Sequence, residues 1–272
     1  MPSVEQNTEV WDQTYSWTQH GDEWSEDFGN TEAMWWFALR TRLHRYLPAD
    51  TIIEIAPGHG RWTEYLRHLC RSLVIVDLSE NCIATCKKRF ANASNITYVV
   101  NDGRSLDTVP DNSIDFAFSF DSLVHCEKDV IAAYLNEIAR TLKPDGVGFV
   151  HHSNIGAYSR LLDVFNALPS RFHLKGAFSR LASLDVSAWR APSMSAATFP
   201  ELCEDANVDC ISHELINWHH GRCMIDAISV FTGRASRWTR QCEILSNPRF
   251  VEAASGIKTL SRLYTQVGRR PG

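Results

Sequence analysis

Between Thr51 and Ser153, short apolar runs alternate with stretches long enough for a helix, and this alternation limits the fold more than any other feature. The runs are "TIIEIA" (51–56), "SLVIVDL" (72–78), "ITYVVND" (96–102), "SIDFAFSFD" (113–121) and "GVGFVHHS" (146–153). Apolar along their length, they suit strands buried on both faces, as in a parallel sheet covered by helices. Parallel neighbours need long crossovers, and the intervals carry helical patterns. Trp62, Tyr65, Leu66 and Leu69 share one helical face. Ser79 stands as an N-cap ahead of Ile83, Cys86 and Phe90, and "DVIAAYLNEIARTLKP" (129–144) stays amphipathic until Pro144 and Gly146 stop it. "DCISHELINW" (209–218) and "MIDAISVFT" (224–232) complete the pattern. The expectation is one α/β domain with a doubly wound sheet.

Three segments fall outside that rhythm. Residues 1–48 form an arm and a helix. The arm's Trp11, Tyr15, Trp17, Trp24 and Phe28 keep no period, whereas the helix starts at Thr31, buries Trp36, Leu39, Leu43 and Leu47, and ends at Pro48. Residues 155–200 read as a helical insertion or lid before the last two strands, and 234–272 as a tail, helical around 248–264. "GDEWS" (21–25) is a candidate lid or a contact in a homodimer.

Composition narrows the class. A net charge of −5 provides no global basic field for nucleic acid. No window approaches the ~20 apolar residues of a membrane span. Residues 1–30 are acidic and polar without a leader-like apolar run, so a cytoplasmic protein is expected. The 8 cysteines show no CxxC and no zinc-ribbon spacing, and read as reduced, mostly buried thiols.

The turn "EIAPGHGRWTEYL" (54–66) raises the question of a ligand. A dinucleotide fingerprint would place a third glycine where Thr63 stands, and Glu54 would repel a pyrophosphate. An acid beside a sulfonium or an amino group is favourable instead, which points to S-adenosylmethionine (SAM). Asp77 closes the second strand, placed to accept from a ribose diol, and Asp102, followed by Gly103, closes the third, placed for an adenine amino group. Arg61 could meet the SAM carboxylate. With "IIEIAPGHGRWTEYL", "LVIVDLSENCI", "VVNDGRSLD", "SIDFAFSFDSLVHCE" and "LKPDGVGFVHHSN", the chain resembles class I SAM-dependent methyltransferases. The resemblance implies a Rossmann-like mixed sheet of seven strands, and a pocket lined by Glu54, Ala56, Gly58, Asp77, Leu78, Asp102, Gly103 and Ser119. Ala56 departs from the glycine that many members carry there. "FSFDSLVHCE" and "HHSN" look most similar to bacterial, mycobacterial-type enzymes that O-methylate sugars in polysaccharides, a mannoside being one candidate acceptor.

An alcohol is a poor nucleophile until a base takes its proton or a metal lowers its pKa. Asp121, His125, the pair His151–His152 and the pair His219–His220 fall at the same strand ends, one histidine of each pair being expected to face the site. Two mechanisms are open. Asp121, His151 and His219, with His152 or His220 as substitutes, could hold Mg²⁺ or another divalent ion, or His152 could act as base with Asp121 orienting it. Trp189 of the insertion could stack on a sugar ring. A phenol or amine methyltransferase and a non-catalytic SAM-binding module are the alternatives.

Overall fold

The computed structural model describes residues 3–168, 189–218 and 223–264. Eight strands form one sheet: β1 (Ala49–Ile55), β2 (Cys70–Asp77), β3 (Ile96–Val100), β4 (Ile114–Ser119), β5 (Leu142–Ser153), β6 (Val208–Ile216), β7 (Asp226–Gly233) and β8 (Glu243–Asn247). Their order is β3-β2-β1-β4-β5-β7-β6-β8. The first five run parallel, β7 is antiparallel to both β5 and β6, and β8 runs parallel to β6. The fold is therefore the expected Rossmann-like mixed sheet with one strand more than seven. The added strand, β8, lies in the tail expected to be helical. Its side chains are mostly exposed, so it lacks the apolar run that betrays the other strands. The tail helix follows as Phe250–Tyr264.

Each face of the sheet carries a core. On one side Ile52, Leu73, Ile75, Phe116, Phe118 and Phe149 pack against the helical segment that begins at Thr31 and against Ile83, Cys86 and Phe90. On the other, Ile53, Val76, Ala117 and Val150 meet the helix Lys128–Thr141 through Val130, Ile131, Leu135 and Ile138, spaced to form one stripe. The segment after Thr31 departs from its expected stripe. Leu39, Leu43 and Leu47 are buried, but Trp35 joins them while Trp36 is 54% exposed. Trp35 and Leu39 bracket one wide helical turn (Trp35–Leu39), which puts Trp35 above Leu39 and turns Trp36 to solvent.

The order in which strands are added reverses between β1 and β4: β2 and β3 lie on one side of β1, β4 and β5 on the other. The crevice beyond the carboxyl ends of β1 and β4 is where such sheets take ligands. Among the described residues no helix is long and apolar enough to cross a membrane.

Candidate functional site

A cleft of about 890 Å³, counting its open mouth, lies at that switch point. Its floor is the loop after β1, with Ala56, Pro57, Gly58 and Arg61, and the ends of β2 and β4, with Asp77, Leu78, Phe120 and Asp121. Its roof is the N-terminal arm, through Asn7, Trp11, Trp17, His20, Gly21 and Trp24. Gly58 has φ +57°, and a Cβ there would lie 2.7 Å from the Trp17 ring, so only glycine lets the arm close this tightly on the loop. Ala56 (φ 56°) and Asp121 (φ 64°) hold left-handed backbone without being glycine. Such strain, about 1 kcal/mol or more for each residue, collects at ligand sites.

The sequence departure at Thr63 has a physical explanation. Its hydroxyl donates to Glu54 Oε2 at 2.6 Å beneath the loop, so the residue replacing a third glycine satisfies a buried acid. Glu54 Oε1 has no partner, and burial raises this carboxyl to about 8. Glu54 lies under the cleft wall rather than in the lining. Asp77 accepts from Gly58 N at 3.1 Å and Ser79 N at 2.9 Å. Burial nevertheless lifts it to about 6. Asp12 of the arm accepts from the Ser79 hydroxyl and from Asn81 N, tying the arm to the start of the helix Glu80–Arg89.

Of the residues expected to hold the cofactor, Ala56, Gly58, Arg61, Asp77, Leu78 and Gly103 line the cleft. Asp102 does not. It is exposed, and its Oδ1 accepts from Arg104 N, Ser105 N and Ser105 Oγ, which closes its own loop. Ser119 is fully buried and donates to Ile55 O at 3.0 Å, joining β4 to β1. Arg61 forms an ion pair with Asp121 at 2.8 Å, both side chains being nearly buried, and its guanidinium lies over Trp62.

The histidines are placed differently from expectation. His151 and His152 are both fully buried, so neither faces the cleft. His152 stacks on Phe199, Nδ1 lies 2.9 Å from Ser153 O, and Nε2 lies 2.7 Å from Ser229 Oγ. Burial depresses it to about 3. Its assignment as the base is corrected: no substrate oxygen can reach it. His151 Nδ1 accepts from Asp121 N, and its Nε2 sits 3.4 Å from Asp226 Oδ2. Asp226, in turn, is held by Arg190 through Nε–Oδ1 at 2.7 Å and by a second nitrogen at 2.9 Å. That buried trio was missed because Arg190 reads in sequence as one more surface cation of an insertion. His219 and His220 lie outside the described residues. The residues described around Asp121 do not fit a divalent ion: its carboxylate is engaged by Arg61 and both His151 nitrogens face protein groups.

Two histidines line the cleft, His20 in the roof and His125 at the loop after β4; of these, His125 is the buried one. Nδ1 lies 2.6 Å from Trp189 O and the ring stacks against Trp189, with Trp11 nearby. A carbonyl partner requires a proton on Nδ1, which leaves Nε2 as the basic nitrogen. Burial lowers this imidazole to about 4, so it is neutral at physiological pH.

Residues 52–146 match the family model described as "Methyltransferase domain". Among solved structures, the chain is similar to the PH0226 protein of Pyrococcus horikoshii (18% identity, 75% of this chain and 91% of that one, TM-score 0.53). It is also similar to the CcbJ methyltransferase of Streptomyces caelestis (14% identity, 77% and 95%, TM-score 0.52). A curated relative, ribosomal RNA small subunit methyltransferase A of Coxiella burnetii, is 29% identical over 108 residues, covering 34% of this chain and 42% of the relative. The chain thus spans less than half the length of the curated relatives it matches.

Proposed function

We propose that this protein is a class I SAM-dependent methyltransferase that methylates a hydroxyl of a sugar or oligosaccharide; the matched methyltransferase domain over residues 52–146 supports the first part of that reading. The observation that carries the reading is the cleft wall itself: a neutral His125 packs between Trp11 of the arm and Trp189, and Trp17 and Trp24 of the arm line the same cleft as the glycine loop. The cofactor supplies a methyl group already activated on a sulfonium. The fit rests on the glycine floor, on Asp77 at the end of β2, and on the unpartnered Glu54 Oε1 below the loop.

The protein's own work is positioning and proton transfer. With the cofactor bound, Asp77 would accept from the ribose diol, Leu78 and Gly103 would flank the nucleoside base, and Arg61 would meet the carboxylate of the methionine moiety. Flat indole faces at Trp11 and Trp24 suit the C–H faces of a pyranose and exclude water from the transfer. His125 Nε2 takes the acceptor proton. An imidazole lowered to about 4 is a weak base, but a hydroxyl becomes strongly acidic as its oxygen takes the methyl group, so a neutral ring nearby suffices. The protein acts in the cytoplasm, in keeping with eight free thiols.

The curated relatives are named for ribosomal RNA. Against that substrate, this chain carries a net charge of −5, and Arg61, the one Lys or Arg in the described lining, is paired with Asp121. Incubation with methyl-labelled SAM and separate pools of oligosaccharides, phenols and amines, and ribosomal RNA fragments tests the proposal by mass spectrometry. Label is expected in the oligosaccharide pool and lost with His125→Gln, SAM binding being retained. Label confined to either of the other pools overturns the sugar assignment.

A further inference from the structure

The far end of the sheet holds a cluster that methyl transfer does not use. Cys210 and His213 both belong to β6, three positions apart, and a regular strand would point them to opposite faces. The pairing of β6 with β7 slips between Cys210 and Ser212. That bulge gives the strand one extra residue and returns Cys210 and His213 to the same face. Cys242 comes from the segment entering β8, which pairs with β6 from Ser212 opposite Glu243 onward. Cys210 Sγ lies 3.3 Å from His213 Nε2 and 3.9 Å from Cys242 Sγ. The three ligand atoms all fall within 4.8 Å of one another, and no other group of three His, Cys, Asp or Glu among the described residues does so.

These separations discriminate between two chemistries. A disulfide needs its sulfurs ~2.05 Å apart. A tetrahedral zinc centre, with bonds of ~2.3 Å to sulfur and ~2.0 Å to nitrogen, has edges of about 3.8 Å between sulfurs and about 3.5 Å between sulfur and nitrogen. The observed spacings match the tetrahedral edges.

The hydrogen bonds also set the tautomer of the neutral histidine. His152 Nδ1 faces the Ser153 carbonyl and must carry a proton, so His152 Nε2 accepts. The Ser229 hydroxyl, 2.7 Å away, therefore donates to it and must accept from its other neighbour, His213 Nδ1, also at 2.7 Å. His213 is left with its lone pair on Nε2, the nitrogen that faces Cys210. A hydrogen-bonded partner that fixes the tautomer is the usual support of a metal-bound histidine. His152, expected from the sequence to be the catalytic base, acquires a role here as the anchor of that relay.

We propose that Cys210, His213 and Cys242 form a zinc site, with His213 coordinating through Nε2. Cys203, from the helix Thr198–Asp205, borders the site near the Cys210 thiol. The ion ties β6 to the chain entering β8 and so fastens the exposed eighth strand to the sheet. Both thiols must lose their protons to coordinate, so metal binding tightens as pH rises.

The test uses the full chain, reduced and stripped with a chelator, titrated with Co²⁺ as a spectroscopic substitute and then with Zn²⁺. One equivalent of Co²⁺ is expected to give thiolate-to-metal charge transfer and d–d bands of tetrahedral intensity, bleached by Zn²⁺. Cys242→Ser should cut the charge-transfer intensity per bound ion to roughly half, and weaken binding by more than about tenfold, whereas Ser229→Ala, which keeps all three ligands and the full band intensity, should weaken binding by about 10- to 100-fold. Circular dichroism verifies that each variant is folded, and Ser229→Ala carries the test if Cys242→Ser is not. No charge-transfer band in the wild type, an octahedral spectrum, or bands of equal strength in Cys242→Ser and Ser229→Ala overturns the site. So does a Cys210–Cys242 disulfide found by mass spectrometry in air-oxidised protein whose reduced form ignores Co²⁺.

Discussion

Glu54→Gln gives the most quantitative test of the buried acid under the glycine loop. In the folded protein this carboxyl is raised from 4.5 to about 8, first by burial and against the Thr63 hydrogen bond. Between those values the native state holds a proton that the unfolded chain has released, so stability must fall as pH rises. The contribution is complete below about pH 4.5 and is lost progressively toward the folded value. At about 1.4 kcal/mol per unit, with the slope halving near the folded pKa, the loss between roughly pH 6.5 and pH 8 is about 1.5 kcal/mol. The window matters. His59, His125 and His152 are all depressed to about 4 or below, and they act in the opposite sense only below the ordinary histidine range. Gln keeps an oxygen for Thr63 but cannot ionise. Urea unfolding of both proteins at each pH should therefore show the difference in unfolding free energy, wild type minus variant, falling by about 1.5 kcal/mol across the window. Parallel pH profiles would refute the claim that Glu54 is protonated in the folded protein. A cationic cofactor in the cleft above this acid should also favour its ionised form, so wild-type SAM affinity is expected to rise over the same window while that of Glu54→Gln stays flat.

Other perturbations address the cleft residue by residue. Asp77→Ala removes a charged acceptor of about 1.5–3 kcal/mol. It should weaken SAM binding by roughly 10- to 150-fold in isothermal titration; unchanged affinity would contradict its placement. Arg61→Ala leaves the nearly buried Asp121 carboxylate unpaired and should cost about 3–5 kcal/mol in denaturant unfolding. Asp121→Ala in the same chain should recover much of that loss, and simple additivity would argue against the pair. Trp17→Ala opens the arm over Gly58, and is expected to raise KM for the acceptor more than it lowers kcat. A kcat effect alone would move Trp17 out of the closure.

How much of this was readable in advance depended on whether a residue's role is local. Strands β1, β2, β4, β5 and β7 were legible because their buried stretches are written as apolar runs, and the switch point followed from the alternation of strands and helices. β8 was not legible: an exposed edge strand of five residues has no such signature. Gly58 and Asp77 could be placed because a turn and a strand end fix their direction. Asp102 could not, since an acid at a strand end can as easily accept from its own loop, and here it does. His151 and His152 misled the reading because strand alternation predicts one inward and one outward ring. At the centre of a sheet covered on both sides, both are buried. The cysteine cluster was hidden for a related reason: Cys210 and His213 share a face only through a bulge, and Cys242 joins them from about 30 residues away.

The central claim is that the crevice between β1 and β4, roofed by the tryptophan arm, holds the methyl donor. A crystal structure with S-adenosylhomocysteine tests it most directly. The ribose hydroxyls should lie within hydrogen-bond reach of Asp77, with the nucleoside base beside Leu78 and Gly103 and the sulfur facing His125. A nucleoside bound anywhere else, or a diphosphate preferred in its place, would contradict the account.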